Sequence, residues 1–244
     1  MSDLEAAGRA LEIEKCRRFA HYFIFDSGKL LTKDEHDLDN PIKPFPRELY
    51  LRVMLDFLLV SGRLVKPDEA KWALENGYER SFLEQLYKSG IILSDKSRQV
   101  MWTWLICAYL HWRAKYRKFQ LILVQSKREE DAVSLVYNKE PGQARISFME
   151  VNLSSYLQTL SFPKAAAFGH LYYSSTGSHI WAIPEGGDIL RSNTASVVFS
   201  DEAAYQPNFG NSFTAAIPSI KGGGQYIGVS SAEPGEFQML VEAP

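Results

Sequence analysis

Hydrophobic spacing divides this chain into a leading helical stretch and a following alternation of strands and helices. Apolar positions Leu11, Phe19, Tyr22 and Phe23 suit a first helix ending near Phe25, opened by a capping box that Ser2 forms with Glu5. Pro46 is placed as a first helical residue and Gly62 as a terminator, and the run between them is apolar enough for a buried helix. Further helices are expected from Pro67 to before Gly77 and over residues 79–88, with Gly90 as the stop. Then Ile91, Ile92 and Leu93 form a strand-like run, a polar loop follows, and residues 103–118 read as a helix with Leu105, Ile106, Tyr109, Leu110 and Trp112 on a wide apolar face. Residues 119–124 are a continuous apolar run, as in a parallel strand buried on both faces, and residues 125–132 turn into another helix. Two successive βα units imply a parallel sheet with right-handed crossovers.

From 145 to 183 the pattern weakens. Alternation over 145–151, 171–175 and 179–183 predicts short strands, some antiparallel, around a turn at Ser174-Ser175-Thr176-Gly177. After Gly186 and Gly187, residues 189–193 read as a polar loop before the apolar strand 196–200. Residues 209–217 look helical, and 226–229 form a last strand leading to Ser230, Ser231 and Ala232. The triplet Gly222-Gly223-Gly224 precedes a strand and opens no helix, so it is a turn rather than a phosphate cradle. The expected fold is α/β: a mainly parallel central sheet flanked by helices over residues 91–244, with residues 1–90 a helical layer packed on it.

A chain of 244 residues suffices for one such domain with a small appendage. No membrane-length apolar run or cleavable signal is present, so a soluble, intracellular protein is expected. Cys16 and Cys107 match no metal or redox spacing and read as reduced core residues. A formal charge of -2 excludes a surface that is basic overall, so any nucleic-acid contact needs a local patch. One candidate is the helix end with His111, Arg113, Lys115, Arg117 and Lys118, although cations there also suit the negative end of the helix dipole. The acidic stretch from Lys33 to Asn40, with Asp34, Glu35, His36 and Asp37, lacks the calcium-loop spacing and reads as a solvated loop.

Strand, loop and helix in succession at 91–103 is the layout in which backbone N–H groups and a helix N-terminus face an anion. The strand 196–200 then delivers Asp201 and Glu202, and together the two segments read as one ATP site. The loop departs from G-x-x-x-x-G-K-[ST]: with Thr103 in the last position, Lys96 stands at the first Gly, Met101 at the second and Trp102 at the Lys.

Taken in order, Lys96-Ser97-Arg98-Gln99 through Val100, Met101 and Trp102 to Thr103, the helix, the strand entering Gln125-Ser126, then Leu190-Arg191, Val197-Val198-Phe199-Ser200-Asp201-Glu202-Ala203-Ala204 and Gly228-Val229-Ser230-Ser231-Ala232 resemble the ATPase half of the large terminase subunit, the DNA-packaging motor of tailed bacteriophages. The resemblance covers about residues 91–232, and that family commonly departs from the standard phosphate loop, with an S-R-Q core and an early basic residue. It implies a P-loop NTPase fold of the RecA/ASCE kind, ATP and Mg²⁺ as ligands, and residues 96–103 as the nucleotide loop. Thr103 and Asp201 are then the metal ligands, and Glu202 activates water. With Trp102 uncharged, Lys96 is expected to contact phosphate with Arg98 in support, the alternative being a solvent-facing Lys96. Arg191 matches the family's arginine finger, within a subunit or across to a neighbour, or else forms a structural salt bridge. Ser230, Ser231 and Ala232 match the coupling motif, or are only a strand end. The resemblance further implies double-stranded DNA, a portal protein and a small terminase subunit as partners, a homo-oligomeric ring on the procapsid, and the host cytoplasm as location. It implies ATP turnover without DNA cleavage, since too few residues follow the coupling segment for the family's nuclease domain. Two other readings stand beside it: a helicase-like nucleic-acid motor, and a non-catalytic scaffold whose degenerate loop holds no nucleotide.

Overall fold

The computed structural model describes residues 3–34, 37, 39–97, 100–162 and 164–243. Ser2 of the expected capping box, Glu35 and His36 of the acidic stretch, and Arg98 and Gln99 of the loop lie outside the described residues. The chain begins with α1 (Asp3–Arg18), a π-turn (Tyr22–Asp26) and a hairpin of β1 (Leu31–Lys33) and β2 (Ile42–Pro44). Helices α2 (Leu49–Ser61), α3 (Lys71–Glu75) and α4 (Arg80–Ser89) follow. Then come β3 (Ile91–Asp95), α5 (Trp102–Tyr116), β4 (Leu121–Gln125), α6 (Glu129–Val136) and α7 (Arg145–Val151). The remainder is β5 (Ala166–Ala167), β6 (His170–Tyr173), β7 (Ser178–Ala182), α8 (Asp188–Ser192), β8 (Val197–Asp201), α9 (Phe209–Lys221), β9 (Gln225–Ser230) and α10 (Glu236–Val241).

Seven strands form one sheet in the order β3-β9-β8-β4-β7-β6-β5; β3, β9, β8, β4 and β7 are parallel to one another, and β6 and β5 extend the β7 edge antiparallel. Alternate strand residues point into different layers, as the two-residue period requires. Ile122, Val124, Phe199, Ile227 and Val229 join α1, α2 and α5 to α7 in one core, whereas Leu123, Val198 and Tyr226 pack with α8, α9 and α10 in another. The sheet is therefore sandwiched, as its nearly unbroken apolar strands demand.

Burial places α5 at the centre: every residue from Trp104 to Lys115 is buried. Arg113 and Lys115 stand in its last turn, as the dipole reading has it, while burial takes three of the five cations out of the surface patch and leaves Lys118 exposed. His111, Arg113 and Lys115 face neither solvent nor an external phosphate backbone, and each is held by the fold. Lys115 Nζ donates to Glu150 Oε2 at 2.8 Å and to Thr159 Oγ1 at 2.9 Å, and His111 Nε2 lies 3.1 Å from the same carboxylate oxygen. Burial alone would raise the Glu150 pKa, but His111 and Lys115 more than offset it and hold the carboxyl far below the usual range. Arg113 Nη1 donates to Gln225 Oε1 (2.8 Å) and Tyr109 (3.0 Å), while Gln225 Nε2 donates to Leu58 O and Ser61 Oγ of α2. This polar knot fixes the N-terminal helices to α5 and β9. A Cβ at Gly62 would run into Tyr109, Arg113 and Gln225, so only glycine ends α2 there.

Other expectations shift in detail. The first helix stops at Arg18, with Leu11 and Phe19 exposed, and burial passes to Cys16, Ala20, Phe23, Ile24 and Phe25. Residues 145–151 form α7 rather than a strand, because Ile146, Ser147, Phe148, Met149 and Glu150 are all buried and two-residue alternation carries no facing information there. Residues 188–192 form the short helix α8 instead of a loop. Of the acidic stretch, the described residues Asp34 and Asp37 lie 2.8 Å and 3.0 Å from Lys43 Nζ on β2. Both cysteines are buried and free. Among the described residues, no helix is long and apolar enough to cross a membrane.

Removing one partner of a buried ion pair leaves the other charge stranded. Lys115→Met is expected to cost about 3–5 kcal/mol of stability, read from the urea midpoint; a loss below about 1 kcal/mol would show that Glu150 is not held by this pair.

Candidate active site

Because β3, β9, β8 and β4 are mutually parallel, their C-terminal ends share one edge of the sheet, where crevices form in open α/β folds. A cavity of ≈ 940 Å³ lies at that edge. Its walls come from the segment after β3 with the start of α5, the acids after β8, residues 126–145 around α6 and α7, and the β1–β2 hairpin.

The Lys96 backbone N–H donates to Ser230 O at 2.8 Å, which extends the β3–β9 ladder and sets where the loop departs. Its side chain turns inward, only 10% exposed, with Nζ 4.0 Å from Glu202 Oε1. Lys96 therefore does not face solvent. Val100, Met101, Trp102 and Thr103 line the cavity, while Ser97 lines a shallower neighbouring depression with Tyr205 and Ser231. Met101 has φ 58°, in the left-handed region, so methionine adopts the turn that the standard pattern gives to glycine. That conformation costs about 1–2 kcal/mol, and Met101 offsets it by packing against the main core. The Trp102 indole Nε1 is buried without a hydrogen-bond partner among the described residues.

Thr103 Oγ1 donates to Asp201 Oδ1 at 3.0 Å, joining the first turn of α5 to the end of β8. Asp201 is buried, and desolvation raises its pKa, opposed by the charges of Lys96 and Arg145 and by the Thr103 hydrogen bond. Glu202 has φ 52°, a second left-handed residue, which turns its partly exposed side chain out of the strand line towards Lys96. Non-glycine residues in that region concentrate at functional sites. Lys96, Thr103, Asp201 and Glu202 thus converge on one cavity from three separate elements.

Arg191 stands apart. It lies on α8 with Nη1 donating to Asp188 Oδ1 at 2.9 Å in an exposed pair, and it borders a small depression with Thr214 and Pro218 instead of the cavity. Ser230 ends β9 with its buried Oγ unpartnered among the described residues, and Ser231 Oγ lies 3.3 Å from the Tyr205 hydroxyl. Ala232 borders the same depression as Ser97.

Sequence reasoning noted Ser126 without giving it a role and missed Lys127, Arg145 and the hairpin residues Thr32 and Lys43, all of which line the cavity. None lies in a local motif, and residues 145–151 carried only a weak strand signal. Among the described residues, no group of three or more His, Cys, Asp and Glu side chains stands close enough to hold a metal ion.

No family model matches this chain, and no curated protein matches it. Among solved structures, the large terminase of a thermophilic bacteriophage, in complex with ADP, is similar at 17% identity with a TM-score of 0.44. The likeness covers 72% of this chain and 38% of that one. At that degree of likeness, function has to be argued from the site itself.

A carboxyl whose pKa is raised by burial is ionised at a cost to the empty protein. Asp201→Asn, which keeps an acceptor for Thr103, is expected to stabilise the ligand-free protein at pH 7 by about 0.5–2 kcal/mol. The gain should fade as pH falls towards about 4, where the native carboxyl takes up its proton in the unfolded state as well. Equal unfolding midpoints for variant and native protein at pH 7 would contradict this.

Proposed function

We propose that this chain is an ATP-hydrolysing motor domain of the large-terminase kind, which drives double-stranded DNA into a procapsid. The observation that carries the reading is the convergence of Lys96, Thr103, Asp201 and Glu202 on the cavity at the α5 N-terminus. An inward amine, a helix N-terminus and two unlike carboxylates are what phosphoryl transfer to water needs.

In this reading, the N-terminal N–H groups of α5 receive phosphate oxygens and Lys96 screens their charge, a task that Trp102 cannot perform. Thr103 and Asp201 fit a divalent cation: both offer oxygen, they stand 3.0 Å apart, and a dication would relieve the cost of ionised Asp201. Bound there, Mg²⁺ would neutralise charge developing on the phosphate oxygens. Glu202 is the base. It is more exposed than Asp201, and its left-handed backbone turns the carboxylate away from the strand. It accepts the proton of the attacking water and so leaves hydroxide character on the oxygen that meets phosphorus.

Loss of phosphate would be felt at Ser230 and Ser231, since Lys96 N–H is bonded to Ser230 O and the depression beside Lys96 contains Ser231. Arg191, outside its own chain's cavity, is proposed to complete the site of a neighbouring subunit in a ring. The portal protein, the small terminase subunit and the procapsid remain its proposed partners, in the host cytoplasm.

Glu202→Gln is expected to keep Mg·ATP affinity while slowing hydrolysis by at least about a hundredfold; Lys96→Ala is expected to lose binding itself. Titration with a labelled ATP analogue and steady-state phosphate release read both. Unchanged turnover in Glu202→Gln refutes the base, and absence of saturable binding by the native chain favours the scaffold reading.

A further inference from the structure

Among the described residues, the proposed chemistry assigns only the Lys96 side chain to the phosphate chain. The position that usually holds lysine is Trp102, and Lys96 also faces Glu202. Among the other cations lining the cavity, Lys43 is engaged by Asp34 and Asp37. Arg145 is differently placed. It is the first residue of α7, its guanidinium carbon sits 5.6 Å from the centre of the Trp104 ring, and its charge reaches Asp201. Its Nε is shut off from solvent and has no hydrogen-bond partner among the described residues.

A guanidinium N–H withdrawn from water with no acceptor is costly, and such orphaned donors are rare in native proteins. The cation–π contact with Trp104 leaves the N–H unsatisfied, because a ring face supplies little acceptor strength. An acceptor arriving in the cavity would satisfy it. Carboxylates already in the site do not: Asp201 takes its bond from Thr103, and Glu202 faces Lys96. The arginine fork matches phosphate geometry, and its contact with Trp104 reduces the freedom lost on binding.

We propose that Arg145 is a phosphate-binding residue of this cavity, contacting the polyphosphate chain from the α7 wall and supplying charge that Trp102 cannot. The assignment rests on the nucleotide reading given above, and it names a contact outside every motif that supports that reading. Arg145 touches substrate and leaves the proton transfer to Glu202.

The test uses the full chain with two probes, inorganic tripolyphosphate and ATP, each with Mg²⁺, titrated calorimetrically. Arg145→Met is expected to weaken both by about tenfold to a hundredfold, while the ligand-free melting temperature stays level or rises. Arg145→Gln keeps an N–H and the packing on Trp104 but not the charge; it repeats the comparison if the methionine variant does not fold. Unchanged affinity for both probes overturns the proposal, as does a loss confined to ATP, which would mark a contact to base or sugar. A lower ligand-free melting temperature with unchanged affinities assigns Arg145 to packing alone and also overturns it. If Lys96→Ala abolishes ATP binding while Arg145→Met does not alter it, only this inference fails. If the native chain binds neither probe, the nucleotide reading fails first and this inference with it.

Discussion

The insertion of β9 between β3 and β8 is the constraint on which the site depends. β9 pairs in parallel with both, Tyr226 standing opposite Ile91 on one side and Val198 on the other, and all its residues are buried. Neighbouring strands lie about 4.8 Å apart, so one intervening strand separates the loop strand from the acidic strand by about 10 Å. That gap is wide enough for a phosphate chain and short enough for a lysine to cross. With β3 directly against β8 the loop would collapse onto the acids; with two strands between them the Lys96 amine would fall short of Glu202. The bond from Lys96 N–H to Ser230 O carries the same spacing into the loop.

Charge is buried in two ways that serve different ends. At the far end of α5, Lys115 bonds Glu150 and Thr159, His111 bonds Tyr173, and Arg113 and Tyr109 bond Gln225, although the Tyr116 hydroxyl and Arg117 Nε are left without partners among the described residues. Networks of this kind hold a helix in one position. At the near end of the same helix the polar groups are left open: Asp201 is ionised only at a cost, Arg145 and Trp102 carry unpartnered N–H groups, and Met101 and Glu202 sit in left-handed backbone. The rigid end holds α5 still, so the strained end keeps its geometry before any ligand arrives.

Much of the fold was legible because it is written in local patterns. Apolar runs marked β3, β4, β8 and β9, Gly90 ended α4 in a left-handed cap, and Gly177 with Thr176 turned between β6 and β7. Legibility failed where burial is nearly complete: Ile146, Phe148 and Met149 of α7 are all buried and show no face, and nothing local told that His111, Arg113 and Lys115 at the cationic end of α5 are internal. Arg145 escaped notice for a related reason, since its neighbours in the cavity come from segments distant in the chain, such as those of Lys96 and Asp201.

The sequence by itself determined the alternation of strand and helix, the parallel character of the sheet, and the residue types that meet at its edge. Those follow from hydrophobic period and from short-range chain geometry, which act within a few residues. Tertiary structure alone decided that Lys96 points inward, that Arg191 lies away from its own chain's cavity, and that Arg145 and the hairpin complete the wall. Each of these depends on which strand lies beside which, and strand order is set by the packing of surfaces far apart in the chain, which no local pattern records.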